Sequence, residues 1–167
     1  LFRSIYVYFE NILAYIYSQK YLSSIKEDYL IDIKSIRNID QEEDLIELNT
    51  TGTFAKVEDK YYITYKEYDS NNPRIYKMCI VKIDAKGKVE LIKNGVVQTK
   101  LILEKDERHY CPYNTEHGTF IVGIYTECVE FSYSESCGEL LLKYSIDINS
   151  VSAGTNEVSV KFRKIDK

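Results

Sequence analysis

The chain has 167 residues, 44% of them hydrophobic and 29% charged, which suits one ordinary domain that buries a core without cross-links. This balance excludes a disordered chain and a membrane-spanning bundle. A net charge of −4 excludes a phosphate-backbone binder, since nucleic acid is held by a clustered excess of Lys and Arg.

Residues 1–28 carry Phe2, Ile5, Tyr6, Phe9, Ile12, Leu13 and Ile16 at helical spacing. The pattern predicts an amphipathic N-terminal helix, an extension packed on the domain. Arg3, Glu10, Asn11, Gln19 and Lys20 interrupt the stripe too often for the ~20 apolar residues of a bilayer span. Membrane contact through an interfacial helix is the less favoured alternative, and a poorly ordered extension is the other. The segment lacks the basic, apolar and small-residue regions of a secretory signal, so a reducing cytoplasm is the expected compartment.

From Tyr29 the apolar period changes to two, the spacing that sends alternate side chains to opposite faces of a strand. Strands are predicted over 29–37, 44–57, 60–68, 74–83, 88–93, 98–104, 107–112, 118–125, 127–134, 138–149 and 156–165. The links are short and rich in turn residues, as in Ser70-Asn71-Asn72-Pro73 and Asp84-Ala85-Lys86-Gly87. Short links make hairpins, and hairpins in series make an antiparallel meander. Closure of a meander removes its edge strands, so residues 29–167 are expected to form a single mainly β domain, an up-and-down barrel of about 8–10 strands. Alternation points Leu140, Leu142, Tyr144, Ile146 and Ile148 inward, together with Val158, Val160, Phe162, Val129, Phe131 and Tyr133. An interior of that size is filled by side chains or holds one small ligand.

Four motifs in order, GTFAKVEDKYYITYKE (52–67), VELIKNG (89–95), NTEHGTFIVGIYT (114–126) and GELLLKYSIDIN (138–149), resemble the YwiB-like family of uncharacterised bacterial proteins. The resemblance spans roughly residues 29–165. It implies a calycin or lipocalin-like antiparallel barrel and, because that family carries no assigned activity, it implies no catalytic residue.

The chain has no P-loop, GxGxxG, GxSxG or HExxH, so an enzyme is not expected and no cofactor is implied. Cys79, Cys111, Cys128 and Cys137 lie far apart and read as free thiols. His109, His117 and Cys111 match no zinc spacing and read as ordinary strand residues, leaving no metal site. Sixteen tyrosines suit the wall and rim of a barrel.

Two charges break the pattern. Glu67 continues the inward face set by Tyr61, Ile63 and Tyr65, and Lys93 continues the one set by Val89 and Leu91. An ionisable group on such a face needs a partner, so a structural ion pair near a wet barrel mouth is the plain reading. The functional reading is that Tyr65, Glu67, Lys93 and Tyr144 orient a small apolar or amphipathic ligand in the barrel. The alternative is a protein-protein interaction module that docks through its outer face or its N-terminal helix.

Overall fold

The structure, a computed structural model, describes residues 28–95, 98–115 and 118–166. Ten strands follow one another: β1 (Tyr29–Ile39), β2 (Glu42–Val57), β3 (Lys60–Tyr68), β4 (Tyr76–Ile83), β5 (Val89–Asn94), β6 (Thr99–Leu103), β7 (Arg108–Thr115), β8 (Gly118–Tyr133), β9 (Cys137–Ile148) and β10 (Val151–Lys164). They form one antiparallel sheet in the order β6-β5-β4-β3-β2-β1-β10-β9-β8-β7. The first and last strands pair from Tyr29↔Lys164 to Asn38↔Thr155, which curls the meander into a nearly closed barrel. The predicted helix lies outside the described residues except for Asp28, whose carbonyl accepts a backbone hydrogen bond of 2.7 Å from Ile165 N. Among the described residues no helix is long and apolar enough to cross a membrane.

Closure is less complete than the expectation of an edge-free barrel. No ladder joins β6 to β7; instead Lys105 makes a single parallel bridge to Thr126 of β8. Asp106 N donates to the Thr126 carbonyl at 2.8 Å, and Thr126 N donates to the Glu107 carbonyl at 3.2 Å. The seam is thus pinned by a turn. Pro112 in β7 has no N–H to offer a further strand, which protects that edge from added chains.

Ten strands form among the described residues, within the expected 8–10, and the segments predicted at 118–125 and 127–134 are one strand, β8, with a register shift between Thr126 and Cys128. The bulge adds a residue and flips the inward parity from Val122, Ile124 and Thr126 to Val129, Phe131 and Tyr133. β10 begins at Val151 rather than at 156 and carries its own shift between Ser152 and Gly154. Two hairpins are sharper than the sequence signals implied. Asp40 and Gln41 have φ of 48° and 72°, and Asn149 and Ser150 have φ of 52° and 65°, the paired positive values of a two-residue turn whose twist matches the strands.

The middle of the barrel is packed with side chains. Ile31, Ile63, Val89, Leu103, Ile124, Leu140 and Leu142 are fully buried, and Phe162 stacks on Phe54 with ring centroids 4.2 Å apart. Of the predicted inward rows, Leu140, Leu142, Tyr144, Val158, Val160 and Phe162 are buried, whereas Ile148 and Tyr133 reach the rims and are 38% and 45% exposed. The barrel has two ends. The proximal end holds the β2–β3, β4–β5, β6–β7 and β8–β9 turns and both ends of the sheet-forming chain; the distal end holds the β1–β2, β3–β4 and β9–β10 turns.

Candidate functional site

Residues directly opposite one another in a ladder share a face, so the register identifies what lines the distal half of the interior. Tyr65, Cys79 and Lys93 stand opposite one another on β3, β4 and β5. On the other wall Thr126, Tyr144, Asn156 and Arg37 form a second row across β8, β9, β10 and β1, continued by Asp44 on β2. These positions are polar or carry a thiol. The rows above the packed middle are therefore a polar belt on a face that is otherwise Ile, Leu, Val and Phe.

Of the residues singled out by alternation, Glu67 and Lys93 meet directly. Lys93 Nζ donates to Glu67 Oε2 at 2.7 Å, and Cys79 Sγ donates to the same oxygen at 3.6 Å. Tyr65 stands directly opposite Cys79 on the neighbouring strand. Tyr144 lies on the facing wall, buried to 7% exposure, and is linked to the group only through the fields of its neighbours. Tyr113 acts electrostatically on both the Lys93 ammonium and the Tyr144 phenol, and Arg37 acts on the Tyr144 phenol. Sequence reasoning missed Arg37, Asn156, Cys79, Tyr113 and Thr126. Arg37 was within reach, since it extends the inward parity of Ile31, Ile33 and Ser35.

Charge states in the belt are fixed well away from neutrality. Burial opposes both charges of the ion pair, yet the hydrogen bond and charge of Lys93 hold the Glu67 carboxyl below its ordinary value, and Glu67 holds Lys93 above its own. Burial pushes the Tyr65 phenol up, the Cys79 thiol up to about 11 and the Tyr144 phenol up to about 12. At pH 7 the carboxylate and ammonium are thus charged, while the phenols and thiol are neutral. Thr126 Oγ1 is the one fully buried side-chain oxygen without a hydrogen-bond partner among the described residues.

These shifts have a consequence for stability. Cys79 and Tyr144 have folded values above their ordinary ones of 9.0 and 10.0, so their contributions are complete below those values and vanish as pH rises through about 11 and about 12. The unfolding free energy is expected to hold level to pH ~9 and then fall, with Cys79→Ala removing the first part of the fall. Urea titrations between neutral and strongly alkaline pH check this; stability that rises above pH ~9 refutes it.

No group of three or more possible metal ligands occurs among the described residues. His109 Nε2 lies 3.2 Å from Glu104 Oε2 on the seam, Cys111 is buried among core residues, and His117 lies outside the described residues. All four cysteines are free thiols; Cys79 and Cys111 are buried and Cys137 is exposed.

The family model described as a domain of unknown function, DUF1934, matches residues 31–160. Among solved structures, the YwiB protein from Bacillus subtilis aligns with a TM-score of 0.72 at 17% identity, over 84% of this chain and 95% of that chain. At that identity the likeness concerns the fold alone. No curated protein matches. With the match running from Ile31 in β1 to Val160 in β10, the chain belongs to the DUF1934 family, and its nearly closed antiparallel barrel is YwiB-like.

Proposed function

We propose that this protein binds a small amphipathic molecule at the distal mouth of a lipocalin-like barrel, without chemical change to the ligand. The observation that carries the reading is the polar belt. A polar group on an inward face that is otherwise apolar needs a partner, and here a carboxylate, an ammonium, a thiol and phenols gather at one mouth. A few convergent polar groups beside an apolar wall are what orients a small ligand. Glu67, Lys93 and Tyr65 would meet its polar end from one wall and Tyr144 from the other. Acid–base chemistry is disfavoured because none of the shifted groups of the belt sits near neutrality, where a proton shuttle works best.

The test is the paired variant Glu67→Met with Lys93→Leu. The ion pair is half-exposed, with side-chain exposures of 50% for Lys93 and 32% for Glu67, so its loss is expected to change stability by no more than about 1 kcal/mol. Native mass spectrometry of protein purified from its source is expected to show a small-molecule adduct on the parent chain and none on the variant. Equal ligand content in both removes these residues from the site.

A second reading, a docking module for a protein partner, draws on the hairpin tips of the distal end. Leu45, Ile46 and Val151 are 52%, 53% and 70% exposed there. An unliganded hetero-complex in the same spectra favours that reading.

A further inference from the structure

The opposite, proximal end holds a different arrangement. A cavity of about 480 Å³ opens between the β2–β3 and β4–β5 turns, and its apolar lining is Tyr61, Phe131, Ile83 and Val129. That volume lies in the range of small-molecule sites. The walls are part of a larger aromatic group. The Tyr61 ring stacks parallel to Phe54 at 6.4 Å and lies 5.2 Å from Phe131 and 4.6 Å from Tyr133. The hydroxyls of Tyr61 and Tyr133 are hydrogen-bonded at 2.7 Å, which fixes the two rings relative to each other.

Charge around this cavity is unbalanced. Glu58, Asp59 and Asp84 line it against a single lysine, Lys56. Among the described residues none of the three carboxylates is ion-paired. Asp84 Oδ1 accepts the backbone N–H of Lys86 and of Lys88, which fixes the carboxylate in place. Lys56 itself makes no ion pair with these acids; its Nζ stands 5.3 Å from the centroid of the Tyr61 ring. The protein's own ammonium thus uses an aromatic face as its partner. Ring faces are negative, and the lining carries three negative charges to one positive, so ring and rim both select the same sign.

We infer that the proximal cavity is a binding site for an organic cation, an ammonium group on an apolar body. The body packs against the contacting rings of Tyr61 and Phe131, over Ile83 and Val129, and the ammonium lies toward the ring face and the three carboxylates. Lys56 competes for the same ring. This site is separate from the polar belt at the distal mouth and does not depend on it.

The full chain is titrated calorimetrically with three probes that share one body: 4-phenylbutylammonium, 4-phenylbutanol and 4-phenylbutyrate. The ammonium is expected to bind about tenfold more tightly than the alcohol, and the carboxylate more weakly than either. Lys56→Gln, an exposed change that removes the competing cation, is expected to tighten ammonium binding by about threefold or more, while Tyr61→Leu weakens it by about tenfold. The Glu67→Met, Lys93→Leu variant is expected to bind the ammonium as the parent does. Alcohol binding equal to ammonium binding, a preference for the carboxylate, weaker ammonium binding in Lys56→Gln, loss of binding in the distal variant, or no binding by any probe each overturns the assignment.

Discussion

Replacing Phe162 with alanine is expected to cost about 3–5 kcal/mol of unfolding free energy, among the largest effects a single core substitution produces. The ring is 2% exposed, stacks on Phe54 and meets the edge of Tyr29 at 6.0 Å. It also lies across Gly138, which stands directly opposite it on β9. A methyl group on Gly138 would come within 2.3 Å of Phe162 Cζ and 2.7 Å of the Ser132 carbonyl oxygen, so the glycine is the floor on which the ring rests. Gly138→Ala is therefore expected to be destabilising in the parent chain and less so beside Phe162→Leu, with a coupling of about 1–2 kcal/mol. Urea unfolding of the parent, Phe162→Ala, Gly138→Ala, Phe162→Leu and the double variant checks both statements. Additive effects would mean that ring and glycine are not a unit.

Gly52→Ala is expected to remove at least about 4 kcal/mol, a loss reserved for a few severe mechanisms. Here the mechanism is a collision with backbone. The added carbon would lie 2.2 Å from the Thr64 carbonyl oxygen, which cannot swing away as a side chain does. Gly52 is also where β2 changes partners, since it stands opposite Tyr29 of β1 and Tyr65 of β3. A bend of this kind at a barrel corner calls for a residue without a side chain. A shift of the urea midpoint equivalent to under about 1 kcal/mol would show that the two strands separate easily at this corner.

Periodicity located the strands because each of β3, β4, β5 and β9 keeps one inward parity from end to end. The same regularity made Glu67 and Lys93 legible as inward residues. β8 was misread because a bulge and a turn leave the same trace in a sequence, a change of parity; at Thr126 the chain adds a residue and continues. The second row of the belt was less visible for another reason. Arg37 and Asn156 are neighbours only through the β1–β10 ladder, whose register is set by strands at opposite ends of the chain. Closure was overestimated because an apolar-polar alternation is the same in an open sheet and in a barrel, and nothing local marks β6 and β7 as unpaired edges. Asp40-Gln41 and Asn149-Ser150 contain no glycine, so their tight turns had only a weak signal.

The pairing of β1 with β10 also sets the kinetic problem this fold must solve. Every other ladder joins strands that are consecutive in the chain and closes only a short loop. The β1–β10 ladder brings Asn38 to Thr155 and Tyr29 to Lys164, so its formation closes a loop containing nearly the whole barrel. Loop-closure entropy grows with the logarithm of length and is met before the contacts that repay it form. The long-range search is therefore concentrated in one step. A circular permutant, joined where Asp28 meets Ile165 and opened at the turn between β6 and β7, has the same ladders with none left distant in sequence, because the natural seam already lies at the new ends. In that order every ladder is a local hairpin, and only the seam between β6 and β7–β8 is left to be closed by the chain ends.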